Sequence, residues 1–292
     1  MPTETIDAIP LALRAELDEL PSMPSVVSSC LDELHDAQSN AQRVADLMLA
    51  DVGLTARALH LVNSSFFALS TEVRSLSHAI ALLGSVRLEE IILSVVMPQL
   101  FGKGPGGPLV LKTWEHSFAT AFIARELAVR LGFPRPTNAY VAGLMHDLGL
   151  IVAVRCLPVP MRRVVEELNA IGHWDLGVEV RQLQTHHAIV GASLARKWDF
   201  PNGIIDTIHD HHSPSGSDPL IGLVHVADQC ASAAGLGILE REENDDFDLL
   251  THCQETPGLA DALAIPADLN SLALPYDWAV QVRTLVADFV QA

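Results

Sequence analysis

The sequence predicts an all-α protein built as two helical subdomains. Three observations carry that prediction. Apolar residues recur at one-face helical spacing through most of the chain. The core-forming residues are Leu, Ala and Val, with few aromatics. No alternating apolar and polar run bounded by turn residues marks a strand. A chain of 292 residues, about half of them apolar, is long enough for one large domain or two smaller ones.

The elements follow in order. Pro21 and Pro24 precede a stripe of Val26, Val27, Cys30, Leu31 and Leu34. Asn40 can cap a second helix through Val44, Leu47 and Met48. Leu54, Ala58, Leu61 and Val62 form a third stripe that halts near Asn63-Ser64-Ser65. Ile80 and Leu83 precede Gly84, a natural helix end. Leu88, Ile91, Ile92, Val95 and Val96 form the next stripe. The segment Gly102-Lys103-Gly104-Pro105-Gly106-Gly107-Pro108 cannot continue a helix, so the boundary falls there. It divides an N-terminal subdomain, 1–104, from a second, 105–292. Helices are expected in the second at about 111–131, 137–155, 160–171, 176–198, 202–211 and 219–234, with a C-terminal one at 277–290. Pro134, Pro136, Pro201 and Pro214 punctuate them.

The net charge of −18 disfavours nucleic acid and anionic membrane surfaces as partners. The acidic run Glu240 to Asp248 reads as a solvated loop. Met1 to Asp18 lacks the basic start and apolar block of a secretory signal. No apolar stretch is expected to reach the roughly 20 residues of a membrane span. Cys30, Cys156, Cys230 and Cys253 are widely spaced, as in thiols of a cytoplasmic protein. Neither a serine elbow GxSxG nor a phosphate-binding glycine loop is present, so neither an esterase nor a nucleotide cofactor is expected.

The chemistry-bearing signal is a set of His and Asp residues in the second half. His116 lies in Trp114-Glu115-His116-Ser117. His146-Asp147 lies in Ala142-Gly143-Leu144-Met145-His146-Asp147-Leu148-Gly149. His187, the pair His211-His212, and Asp228 in Val224-His225-Val226-Ala227-Asp228 follow. Imidazole nitrogen with carboxylate oxygen suits iron, manganese, zinc and similar divalent ions. Adjacent residues of a helix diverge by about 100°, so His146 and Asp147 can flank a pocket. Drawing ligands from several helices is how metal sites are built in bundle cores. The bland reading has weight. With 13 histidines, chance neighbours are common, and a lone mid-helix histidine is usually a core or surface residue. His35, His60, His78, His173, His209, His225 and His252 are assigned no role, and His186 stays ambiguous.

Several blocks resemble the HDOD family. Leu20-Pro21-Ser22-Met23-Pro24 is similar to its LPxLP opening. Asp51 to Leu59 resembles DPxLTARLL, and Val62-Asn63-Ser64-Ser65-Phe66-Phe67 resembles ANSAFY. Ser77 to Gly84 is similar to RAIxLLG, and Ala142 to Gly149 to AGLLHDIG. His187-Ala188-Ile189-Val190-Gly191 with Trp198 and Pro201 resembles HAxVGxxLxxxWxLP. The resemblance covers roughly 15–235. It implies an all-α fold whose second subdomain is an HD-like helical bundle, and a bacterial signalling module acting through a protein partner. Carried over from the HD-GYP phosphodiesterases, it implies one or two divalent metals on His116, His146, Asp147, His187, His211, His212 and Asp228.

Two departures separate the chain from those phosphodiesterases. The lysine of their HDxGK pattern is Leu150, and His211-His212 run into Ser213-Pro214 without a GYP loop. A lysine there would stabilise phosphate charge. The first expectation is therefore a non-catalytic regulatory module with a metal as structural or sensing element. The alternative is a metal-dependent phosphohydrolase or phosphodiesterase with Asp147 as the catalytic bridge. Oxygen chemistry at a di-iron site has no substrate-side signal. The sequence leaves the oligomeric state open.

Overall fold

The computed structural model describes residues 9–239 except 21, 37–39, 65, 66, 68, 70, 85, 102–106 and 215–217, together with 256, 259, 263, 283 and 284. The run 240–248, Cys253, His252 and most of the segment 277–290 lie outside the described residues. No strand occurs among those described. The helices are α1 (Leu11–Glu19), α2 (Ser25–His35), α3 (Ala41–Leu49), α4 (Val52–Val62), α5 (Leu76–Leu83), α6 (Val86–Leu100), α7 (Gly107–Arg130), α8 (Pro136–Met145), α9 (Leu148–Cys156), α10 (Pro158–Ile171), α11 (Leu176–Leu183), α12 (His187–Lys197), α13 (Asn202–Asp210) and α14 (Pro219–Ala231). A π-type turn, Ser232–Leu236, follows α14. They divide into two compact units: α2–α6 form one, and α1 with α7–α14 the other.

In the α2–α6 unit, local chemistry sets the helix starts. Asn40, Asp51 and Ser75 each accept a hydrogen bond from the backbone N–H three residues on, at Arg43, Leu54 and His78. The expected stripe Leu54, Ala58, Leu61 and Val62 is buried. Gly84, at φ 79°, ends α5 in a conformation that favours glycine. After α4 the side chain of Asn63 takes over the backbone's work. It donates to the Leu59 and Val73 carbonyls (2.9 and 2.7 Å) and accepts from the Val73 N–H (2.7 Å). Asn63→Ala removes all three bonds. It is expected to lower stability by about 1–2 kcal/mol in urea unfolding, with the slope of the transition unchanged.

In the other unit, α7 is the central helix, and its middle turns are buried on nearly every side. It packs against α8 and α14, while α12 packs against α9 and α13. Two glycines permit the close crossings. A Cβ on Gly143 would meet the Ala121 backbone at 2.8 Å. One on Gly149 would overlap the His187 carbonyl oxygen and the Gly191 nitrogen. Lys197 tethers α1 by donating to the Leu17 and Asp18 carbonyls at 2.8 and 3.0 Å. Helix α1 is an addition to the elements expected from periodicity.

Three expectations need correction. Helix α7 starts at Gly107, within the glycine segment, because Pro108 is well suited to a first turn whose N–H groups lack partners anyway. The helices expected at 137–155 and 176–198 are each two helices, broken at His146-Asp147 and at Gln184–His186. The stretch Pro136–Cys156, at 21 residues, is also apolar and long enough by composition to cross a membrane. Its most apolar window is 89% buried inside the protein, so it reads as the core of this unit.

Candidate metal centre

The helix breaks are where the site residues stand. His146 is the residue after α8, and its Nδ1–H donates to the Gly143 carbonyl at 2.7 Å. His211 is the residue after α13, and its Nδ1–H donates to the Ile208 carbonyl at 2.8 Å. Both histidines thus bond the carbonyl three residues back, satisfying a helix-end acceptor. Each is followed by a second site residue, Asp147 or His212. On α12 the local cause differs. Gln184 adopts a left-handed φ of 60°, ending α11, and His187 opens α12 three residues later.

His187 is held by a residue that the sequence reading did not single out. Glu179 is fully buried; it accepts from the His187 backbone N–H and from His187 Nδ1–H, both at 2.7 Å. Its carboxylate also accepts from Trp174 Nε1–H at 2.8 Å. His116, midway along α7, donates through Nδ1–H to the Leu236 carbonyl at 3.1 Å. In His116, His146, His187 and His211 the outward nitrogen is therefore a donor, which leaves the inward Nε2 as the lone-pair nitrogen whenever the ring is neutral. Fixing the tautomer from outside is the usual way ligand histidines are oriented.

Those inward nitrogens converge on Asp147. Its Oδ1 lies 3.2 Å from His187 Nε2 and 3.8 Å from His211 Nε2. Its Oδ2 lies 3.4 Å from His146 Nε2 and 3.7 Å from His116 Nε2. The two oxygens are thus divided between two histidine sets. His212 Nε2 is 3.0 Å from His187 Nε2, which is 3.3 Å from His211 Nε2. Asp228 Oδ1 is 3.0 Å from His116 Nε2. All seven residues expected from the sequence are brought together.

The donor set fits metal ions. His146 Nε2 is buried and has no hydrogen-bond partner among the described residues. The His187, His211 and His212 nitrogens face one another at distances where two ordinary imidazoles do not both gain. Two nitrogens bound to one ion at about 2.1 Å stand roughly 3.0–3.4 Å apart, the spacing seen here. One ligand atom from each of Asp147, His187, His211 and His212 falls within 4.8 Å of every other, as does one from each of His116, His146 and Asp147.

The electrostatics agree. Burial and the neighbouring imidazoles hold His211 well below the ordinary imidazole range, and burial foremost brings His212 down to about 4. Both therefore present neutral rings near neutrality. Burial opposes charge on His116, but Asp228 and Asp147 outweigh it and raise its pKa. Burial opposes charge on Asp147 too, and His146, His187 and His116 outweigh it, holding the carboxyl well below its usual range. Glu179 and Asp147 likewise outweigh burial at His187 and raise its pKa, so an ionised carboxylate stands between the neutral rings of His211 and His212 and two imidazoles, His116 and His187, that a cation would have to displace protons from.

A cavity of about 260 Å³ opens beside the cluster. His116, Asp147, His212 and Asp228 contribute polar lining, and Gln229, Trp174, Ile238 and Leu239 line it as well. No Lys or Arg lines it among the described residues. Leu150, in the position of the HD-GYP lysine, is fully buried and outside this lining.

A family model described as the HDOD domain matches residues 20–214. The chain belongs to the HDOD domain family. Among HDOD structures, one of unknown function from Geobacter sulfurreducens superposes with a TM-score of 0.71 at 28% identity, covering 96% of this chain and 94% of that one. An uncharacterized protein of Treponema pallidum (strain Nichols) is 26% identical over 224 residues, which is 74% of this chain and 43% of that protein. Ribonuclease Y of Acholeplasma laidlawii (strain PG-8A) is 27% identical over 167 residues, 55% of this chain and 26% of the ribonuclease. The chain spans less than half the length of these curated relatives.

Within this HDOD chain, the residues that sequence reasoning missed are those supporting the candidate ligands. Glu179 reads as an ordinary acid on a helix face. His225, assigned no role, donates through Nδ1–H to the His211 carbonyl at 2.8 Å and lines the cavity, as does His173. Glu179→Gln keeps the shape but not the charge that faces His187. It is expected to weaken metal affinity by about 10–100-fold in a calorimetric titration, with helicity unchanged.

Proposed function

We propose that this chain is a regulatory HDOD module that acts through protein partners and carries a two-metal centre. The observation that carries the metal reading is the division of the two Asp147 oxygens between the His187/His211 set and the His116/His146 set. His187, His211 and His212 would hold one ion, His116, His146 and Asp228 the other, and Asp147 would bridge them. Iron, manganese and zinc all suit such nitrogen and oxygen donors. The regulatory part rests on family membership and on a cavity wall that offers a phosphate no Lys or Arg among its described residues.

A second reading, a metal-dependent phosphohydrolase, is favoured by the cavity itself. An open volume beside a bridging carboxylate is where a substrate would sit, and the similarity to ribonuclease Y points the same way. Bound metal would supply a hydroxide nucleophile at neutral pH. The protein's part would be to hold Asp147 ionised, to orient His116 through the Leu236 carbonyl and to exclude bulk water with Ile238 and Leu239.

Elemental analysis after reconstitution with iron, manganese or zinc, paired with hydrolysis of bis(p-nitrophenyl) phosphate and p-nitrophenyl phosphate, separates the readings. About two ions per chain without turnover is the expected result. Two ions with turnover abolished in Asp147→Asn would establish the phosphohydrolase. No bound metal with any of the three would leave only the partner-binding role.

A further inference from the structure

A second cavity, of about 570 Å³, lies next to the first and shares Ile238 and helix α7 with it. On α7, Lys112 lines the second cavity and His116, one turn later, lines the first. Asp147 leads into α9 at the first cavity, and Val154, two turns on, borders the second. Ile238 borders both. Two residues before it, the Leu236 carbonyl accepts the hydrogen bond that orients His116. The far wall is α10, with Met161 and Arg162.

The lining has a distinct chemistry. Apolar side chains make most of the wall, and the volume is within the range of small-molecule sites. The charged residues are Lys112 and Arg162 against one acid, Glu166, with Asn169 as a neutral donor. In the whole chain, acids outnumber bases by 36 to 18. The cavity therefore inverts the charge balance of the protein around it. A lining of this kind selects an apolar body that ends in a negative group. A metal binder alone would need neither cation.

We propose that this second cavity binds a small organic anion with an apolar body, and that its occupancy and metal binding at the neighbouring centre alter each other's affinity. The coupling half rests on the metal-centre reading above; the binding half does not. The route is physical: a ligand against Ile238 and Lys112 displaces the segment that carries the Leu236 carbonyl, and with it the His116 ring. Linkage then requires the effect to be reciprocal.

The test uses 8-anilinonaphthalene-1-sulfonate as the anionic probe and N-phenyl-1-naphthylamine as its uncharged counterpart, both followed by fluorescence on the full chain. The anion should bind saturably, one per chain, and about tenfold more tightly than the neutral probe. Lys112→Glu with Arg162→Glu should weaken the anion about tenfold while circular dichroism and metal content stay the same. Manganese should shift the anion's dissociation constant about fivefold in the unaltered protein and leave it unmoved in His116→Ala. Equal binding of the two probes, or an anion affinity indifferent to the double charge reversal, overturns the site. A site that passes those arms but ignores bound manganese overturns the coupling. A protein that takes up none of manganese, iron and zinc overturns the metal-centre reading and the coupling built on it, while the charge-reversal arm still decides the cavity.

Discussion

Asp147→Ala is expected to reduce bound metal from two ions per chain to one at most, and to weaken the remaining ion by more than about 100-fold. This is the largest effect the site can give, because among the described residues Asp147 is the carboxylate that belongs to both ligand groups. Its Oδ1 serves His187 and His211, its Oδ2 His146 and His116. Removing any single histidine leaves the other set with its carboxylate. Removing Asp147 also takes away a carboxylate that faces His116 and His187, so gathering these nitrogens around a divalent cation becomes unfavourable. Asp147→Asn separates charge from shape: it should lose metal nearly as completely while preserving the fold. Elemental analysis with far-ultraviolet circular dichroism checks both. Two tightly bound ions in either variant would contradict the bridging role.

Gly149→Ala is expected to be the most destabilising of the small substitutions, by about 3 kcal/mol or more. Its α-hydrogen stands where α9 crosses α12, and an added methyl would overlap the His187 carbonyl and the Gly191 nitrogen. Backbone atoms in two packed helices cannot swing aside as a flexible side chain can. Relief requires the helices to separate, and His187 moves with α12. The melting temperature should fall by roughly 10 °C, and metal affinity should fall with it. Gly203→Ala is the control. It is also a helical glycine, but a methyl there meets nothing within 4 Å, so stability should hold or rise slightly. Equal melting temperatures for the two variants would show that the crossing is not as tight as described.

Much of the fold was legible because its signals are local. Asn40 caps α3, and the Leu54 to Val62 stripe is buried, as residue type and spacing imply. The seven candidate-site residues were legible as types in order within a resembling set of motifs. The breaks at His146-Asp147 and at Gln184–His186 were not. Apolar periodicity runs on through both, since the flanking residues are buried on either side of each turn. What ends those helices is local: the His146 side chain reaching back to Gly143, and the left-handed backbone of Gln184. Glu179 was invisible for a related reason. A buried acid and an exposed one share a letter, and only the fold puts its carboxylate against His187 and Trp174. The burial of Pro136–Cys156 is likewise a property of its neighbours, not of its composition.

The most direct test of the two-metal centre is anomalous diffraction from crystals of the full chain grown with manganese. Two anomalous peaks should stand about 3.5–4 Å apart on either side of the Asp147 carboxylate. One should lie among His187, His211 and His212, the other among His116, His146 and Asp228. A single peak, or manganese bound only outside these seven side chains, would contradict the account.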